Sequence, residues 1–281
     1  QDITAELAKC TKRQEKEIKA AMEEAGVKAL EYDDKIYRAA GLSPMPLTQS
    51  PTLIRLMERN YNATLGEWRN MTRSTAEAAQ RLYLNECDFA YNKVMSGATS
   101  YSQAVREAVE SVASGGVYVD YPSGHRDTIE VATARAVRTG IAQAAGDISI
   151  KRMEEMDWDI ILVSAHIGAR TGDGGQNPGN HLWWQGQFYS RTGRDKHFPN
   201  FYERTGYGTG VGLSGYNCRH SFGSGDGVNN PYADIQTADN VRVEKLEQRQ
   251  RALERRVRKT KREVMGLQEA VDKCQDEAAR F

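Results

Sequence analysis

The sequence lacks a long apolar run, since no stretch of its 281 residues approaches the ~18 apolar residues that a transmembrane helix requires. Its start is amphipathic rather than basic and then apolar, so we expect neither a membrane anchor nor a secretory signal. Paired cysteines are also lacking. Cys10, Cys87, Cys218 and Cys274 lie far apart without C-x-x-C spacing. This pattern gives no sign of a disulfide framework and favours a reducing compartment.

The sequence has no excess charge of either sign, because 38 Lys and Arg balance 38 Asp and Glu. The distribution is uneven: the net charge is −1 over residues 1–115, −3 over 116–165, zero over 166–240 and +4 over 241–281. Within the last segment, residues 242–262 hold ten basic residues and three glutamates. Such a run attracts phosphate backbones without reading base sequence. The alternative is a solvated helix face with intrahelical pairs, although three glutamates cannot pair ten cations.

This basic run predicts non-specific contacts with DNA or with an acidic protein. The side chains predicted to bind DNA are Arg249, Arg251, Arg255, Arg256, Arg258, Lys259, Lys261 and Arg262.

Helical periodicity dominates the first part of the chain. One amphipathic pattern continues to Ala40, where Gly41 and the prolines that follow end it. A second helical pattern covers residues 52–93, and the capping box formed by Ser100 and Gln103 predicts a third helix.

Two short strands and another helix are predicted next. Val117–Val119 has the composition of a strand and runs into a turn. Asp127 and Glu130 form a second capping box, which predicts a helix over residues 128–157. The continuous apolar run at residues 160–163 has strand length.

The segment from His166 to Tyr232 has a different composition, with 15 of the 25 glycines, 11 of the 23 aromatic residues and a single lysine. Because glycine permits tight turns and the aromatics must supply the core, we expect a compact, loop-rich module with short strands. The chain is therefore predicted to be an α+β protein with three regions. These are a helical region at 1–115, an α+β module at 116–240 and a basic coiled-coil helix at 241–281.

The coiled-coil prediction depends on apolar residues that recur at steps of three and four. Two polar residues interrupt this seam, and such positions typically fix register or oligomer state. The seam consists of Val243, Leu246, Gln250, Leu253, Val257, Thr260, Val264, Leu267, Val271, Cys274 and Ala278.

Candidate chemistry is concentrated in the glycine-rich segment. His166, His181, Cys218 and His220 could together supply a tetrahedral Zn²⁺ site, although their spacing matches no standard zinc finger. Zinc is the single candidate cofactor. Two other interpretations stay open: the histidines could hydrogen-bond the backbone among turns, or they could be catalytic.

The catalytic interpretation has two versions. Cys218 with His181 or His166 could form a thiolate–imidazolium nucleophile, or the two histidines could serve metal-dependent phosphodiester hydrolysis. A nucleotide site is rejected, because the G-x-G-x-x-G match at residues 210–215 is not followed by a helical pattern, and no P-loop motif exists.

Several spaced motifs resemble those of the phage minor capsid protein 2 family, which comprises minor head proteins of tailed phages and prophages. The matching runs are Val163–Arg170, His181–Tyr189, Thr205–Gly208 and Asn217–His220. The helix with Arg135–Thr139 also resembles the broader Mu-type head-morphogenesis proteins, whose frequent cysteine pairs this chain lacks. The motif positions are His166, Arg170, His181, Gln185, Gly186, Tyr207, Gly208, Asn217, Cys218, Arg219 and His220.

The resemblance implies a structural protein of the virion, found in the capsid interior near the portal and in the host cytoplasm during assembly. Its implied partners are the portal protein, other capsid proteins and packaged DNA. With the heptads, it predicts an oligomer and no enzymatic activity. The alternative is a virion-associated enzyme, either a metal-dependent nuclease or a cysteine hydrolase, centred on the histidines and Cys218.

Overall fold

A computed structural model of the chain describes residues 3–96, 98–115, 118–121, 124–235 and 237–273. This described part combines long helices with short antiparallel strands in two small sheets, which confirms the predicted α+β class. None of its helices is both long enough and apolar enough to cross a bilayer.

The chain begins with three helices, α1 (Ile3–Ala39), α2 (Pro51–Met95) and α3 (Tyr101–Gly115). Gly41 follows α1 in a left-handed conformation, with φ of 80°, and the prolines after it prevent the helix from continuing. The backbone N–H of Gln103 donates to Ser100 Oγ (3.2 Å), so this half of the predicted capping box forms.

The remaining elements alternate short strands with helices. The helix predicted over 128–157 and the strand predicted at 160–163 are confirmed. Val117, Cys274 and Ala278 lie outside the described residues. The elements are β1 (Tyr118–Asp120), β2 (Arg126–Thr128), α4 (Ile129–Glu155), β3 (Ile160–Val163), α5 (His181–Trp184), β4 (Phe188–Ser190), α6 (Phe201–Thr205), β5 (Phe222–Ser224) and α7 (Asn240–Lys273).

A three-stranded antiparallel sheet of order β4-β3-β5 lies at the centre of the glycine-rich module. Leu162 on β3 is opposite both Phe188 and Gly223. The apolar run of β3 fits this central position, because both of its edges are paired and three of its four side chains are buried. Trp184 and Tyr189 pack in one buried cluster with Ile161 and Val163 of β3.

The chain divides into two compact units. One comprises residues 1–7, 69–133 and 248–281, and the other comprises residues 8–68 and 134–247. The sheet and the predicted histidine and cysteine cluster belong to the second unit. The division into three consecutive regions stays a prediction.

In the first unit, polar and close-packed contacts join the helices. Lys93 Nζ on α2 lies 2.6 Å from Glu107 Oε2 on α3, and Ser111 Oγ donates to Glu86 Oε1 (2.7 Å). Gly266 on α7 packs closely against α3.

Candidate metal centre

The site is built from α5 and from the loop that precedes β5. A Cβ atom at Gly212 would overlap the carbonyl groups of Thr205 and Gly206, and one at Gly215 would lie 2.5 Å from the carbonyl oxygen of Gly210. The loop can fold this tightly only with glycine at these positions. This close approach accounts for the glycine pattern. Residues 216–223 contain no helix, as the sequence pattern predicts.

Three predicted ligand residues converge in the buried interior of this module. His181, Cys218 and His220 each offer one ligand atom, and these atoms all lie within 4.8 Å of one another. Cys218 Sγ lies 3.7 Å from His220 Nδ1. All three residues are buried, so any group that they bind would be shielded from water.

Gln185 orients the His220 ring. Gln185 Oε1 accepts a hydrogen bond from the backbone N–H of His166 (3.1 Å), which identifies this atom as the amide oxygen. His220 Nε2 must therefore carry the proton that it donates to the same oxygen (2.9 Å). The lone pair of His220 Nδ1 is left to face Cys218 Sγ.

Arg170 orients the His181 ring. Its Nη2 atom lies 2.6 Å from His181 Nε2 and donates to the carbonyl oxygen of Val211 (2.7 Å). The same carbonyl lies 3.0 Å from His181 Nε2, so the Arg170 guanidinium and the His181 ring both contact it.

The electrostatics of the cluster keep its groups uncharged. Burial lowers the pKa of His181 to about 4 and that of His220 to about 2, and the nearby charge of Arg170 acts in the same direction. Burial also raises the pKa of the Cys218 thiol. Without a metal, this environment opposes the thiolate–imidazolium pair that a cysteine nucleophile requires.

His166 lies beside the cluster rather than within it. Its ring stacks on the ring of His220 with the centroids 4.4 Å apart, and its Nδ1 atom lies 3.0 Å from the carbonyl oxygen of Ile167. Of the four residues predicted to bind metal, three are thus brought together, and the fourth covers one of them.

The other motif residues have separate positions. Tyr207 donates its hydroxyl hydrogen to Asp147 Oδ1 on α4 (2.8 Å). Arg219 Nη2 lies 2.8 Å from Glu247 Oε2 on α7. Left-handed backbone conformations are found at Gly186 (φ 65°), Gly208 (φ 90°) and Asn217 (φ 57°).

Two residues of the site were not assigned a role from the sequence. Trp184 donates its indole N–H to the carbonyl oxygen of Pro178 (2.9 Å), and its ring centroid lies 4.8 Å from that of His220. Asn240 Oδ1 accepts from the backbone N–H groups of Gly168 (2.8 Å) and Ala169 (2.9 Å). The position of an asparagine at the start of the basic helix was the single sequence signal for Asn240.

The residues predicted to bind DNA all lie on α7, most of them exposed, with Arg258 and Arg262 half-buried. Apolar residues of the predicted coiled-coil seam are exposed as well: Leu246 by 57%, Leu253 by 52%, Val257 by 53% and Val264 by 60%. The coiled coil stays a prediction.

Comparison with protein families gave a match that covers the whole chain. The family described as Phage minor capsid protein 2 matches residues 1–281. Neither the curated proteins nor the solved structures gave a match.

Proposed function

Because the chain belongs to the phage minor capsid protein 2 family and is thus a structural phage head protein, we propose that it lies in the capsid interior at the portal. There it assists head assembly and the packaging or ejection of DNA. The family match over the whole chain carries this proposal, and the surfaces of α2 and α7 support its details.

Exposed apolar side chains on α2 support docking on the portal protein or on other capsid proteins. Several large apolar residues near the end of this helix are more than half exposed, and exposed apolar patches commonly mark protein interfaces. They are Tyr83, Leu84, Phe89, Tyr91 and Met95.

The charge pattern on α7 supports contact with packaged DNA. Five basic residues recur at the spacing that places side chains on one helix face, so their charges add toward a single phosphate backbone. These residues are Arg251, Arg255, Arg258, Lys259 and Arg262.

The state of the histidine and cysteine cluster supports a structural role over the alternative of a virion enzyme. Its thiol is buried with a raised pKa, and its two buried histidines have lowered pKa values. His220 lines a cavity of about 320 Å³ but His181 and Cys218 do not, so a substrate in that cavity would have to enter the core of the module to reach the thiol. We therefore infer that the cluster holds the module together.

Purified phage heads test the proposed location. We expect mass spectrometry to find the chain in intact heads, in fewer copies than the major shell protein, and crosslinking to join it to the portal protein. Heads assembled without the chain are the control for non-specific crosslinks. Absence of the chain from intact heads, or crosslinks confined to the outer surface, would contradict the proposal.

Salt-dependent binding to duplex DNA tests the role of α7. Replacing Arg255 and Lys259 by Gln should weaken binding and reduce the slope of log K against log salt by up to about 2, because each phosphate contact contributes about 0.9. The control replaces Lys35 and Arg55, which are exposed outside α7, by Gln and removes the same net charge. Equal losses in both variants would show that α7 has no special role in DNA binding.

A further inference from the structure

We propose that His181, Cys218 and His220 bind one Zn²⁺ ion that joins α5 to the segment before β5. This inference does not depend on the proposed place of the protein in the head. It rests on the geometry of the cluster, the chemistry of its ligand atoms and the residues that orient them.

The distances fit a tetrahedral zinc site with little movement. With Zn–S at about 2.3 Å and Zn–N at about 2.0–2.1 Å, a sulfur and a nitrogen ligand are about 3.6 Å apart at the tetrahedral angle. Cys218 Sγ and His220 Nδ1 lie 3.7 Å apart. All the ligand atoms, including that of His181, lie within 4.8 Å of one another, so small side-chain rotations complete the set.

The ligand types select zinc over the common hard cations. Thiolate and imidazole suit Zn²⁺, whereas Ca²⁺ and Mg²⁺ require oxygen ligands. On binding, Cys218 releases its thiol proton to solvent and coordinates as the thiolate. Arg170 contacts His181 and its positive charge opposes a cation. Most of the affinity must therefore come from the Cys218 thiolate.

The residues around the ligands are arranged as in known zinc sites. A histidine that binds a metal through one ring nitrogen usually donates its other N–H to a carbonyl or carboxylate oxygen. His220 makes this contact with Gln185 Oε1 (2.9 Å), which directs Nδ1 toward Cys218. His166, whose ring stacks on His220, lies outside these three ligands, so the proposed site leaves its fourth position to water.

A crosslink at this point would hold together a part of the chain that has little regular structure. His181 begins the four-residue helix α5, while Cys218 and His220 lie in the irregular segment that leads into β5. Because such segments bury few backbone hydrogen bonds of their own, a metal that joins them contributes directly to folding.

Metal analysis of the untagged, full-length chain tests the site. We expect about one zinc ion per chain in the parent, as for a single tetrahedral site, and a loss of roughly tenfold or more in Cys218→Ser and His220→Ala. The matched controls are Cys87→Ser and His197→Ala, which change exposed residues of the same types and should retain the metal. No zinc in the parent, or equal zinc in Cys218→Ser and Cys87→Ser, would overturn the proposal.

Cobalt substitution keeps the test decisive if Cys218→Ser does not fold. The parent is stripped with a chelator and titrated with Co²⁺, which should give intense visible bands of tetrahedral cobalt and a thiolate-to-metal charge-transfer band. The same bands are expected in Cys87→Ser. Absence of the charge-transfer band in a parent whose circular dichroism is native would reject Cys218 as a ligand. Neither result depends on head assembly, so the metal site and the proposed function can fail separately.

Discussion

Asp33 on α1 is a fully buried carboxylate that accepts a hydrogen bond from the backbone N–H of Ser224 on β5 (2.7 Å). Burial raises its pKa to about 6, although the hydrogen bond from Ser224 acts in the opposite direction. The folded chain therefore holds this proton more tightly than the unfolded chain does. Below about pH 4, protonated Asp33 adds to the free energy of unfolding. This contribution is lost as the pH rises to about 6.

Asp33→Asn should remove this component, because the amide has the shape of the protonated acid and does not titrate. The stability of the parent relative to the variant should fall by up to about 3 kcal/mol between pH 4 and pH 6.5. Urea unfolding of both proteins across this range measures it. The variant is needed as the reference because the buried histidines, whose pKa values are lowered, increase the free energy of unfolding of both proteins as the pH rises. A constant difference between the two proteins would contradict the assigned pKa.

Asn240 anchors the start of α7 to the loop that contains the first motif histidine. Asn240→Ala leaves the N–H groups of Gly168 and Ala169 buried without their acceptor, and the carbonyl of Ala169 loses its donor. We expect a loss of about 3 kcal/mol in the free energy of unfolding. Asn229→Ala, which removes an exposed amide, is the control and should change stability by less than about 0.5 kcal/mol. Equal effects would contradict the anchoring role.

The sequence identified the types of residue in the candidate site but not their partners. His181, Cys218 and His220 stood out because imidazole and thiol groups are rare in this chain. By contrast, Asp33 and Asn240 look like ordinary helix residues, since their partners lie far away in sequence. A local pattern carries no information about such contacts, because the tertiary fold alone brings the partners together.

At the scale of elements, two helical glycines have opposite surroundings. A Cβ at Gly266 on α7 would lie 2.5 Å from the Cβ of Ala113 on α3, whereas one at Gly66 on α2 would meet no atom of the described residues within 4 Å. Gly266→Ala should therefore destabilise the protein by about 1–3 kcal/mol, because neither methyl group can rotate away. Gly66→Ala should stabilise it by about 1 kcal/mol, since alanine has the higher helix propensity.

Chemical unfolding of both glycine variants measures the difference. Gly66→Ala serves as the control for the propensity change that both substitutions share. If both variants were stabilised, the close packing of α7 on α3 at Gly266 would be wrong.

The boundaries of the long helices could be predicted, because prolines, glycines and caps act locally. α1 ends just before Gly41, and α3 begins directly after the Ser100 cap. The three-residue strands β2, β4 and β5 could not be assigned individually. They are too short to show the alternation of apolar and polar residues that predicts a strand, and their strand conformation depends on pairing with β1 or β3.

The whole molecule has a net charge of zero, but α7 has one apolar face and one basic face. The apolar seam residues, such as Leu253 and Val257, are exposed. One row of basic residues occupies the opposite part of the same helix, namely Arg251, Arg255, Arg258, Lys259 and Arg262. Pairing of two copies through this seam would bring two basic helices together. Their repulsion is screened by salt, whose Debye length falls from about 10 Å at 0.1 M to about 3 Å at 1 M.

Salt should therefore act in opposite directions on the two predicted interactions of α7. Binding to duplex DNA should weaken as salt rises, because counterions compete for the phosphates, while self-association should strengthen, because screening removes repulsion and leaves the apolar seam. Sedimentation velocity of the full chain across a salt series measures the second effect.

Leu253→Gln should weaken self-association about tenfold or more, since two copies each lose a buried leucine. Val228→Gln, which changes an exposed valine outside α7, should not. If self-association were strongest at low salt, or persisted in Leu253→Gln, another surface would be responsible for it. The seam would then be available to bind a different capsid protein.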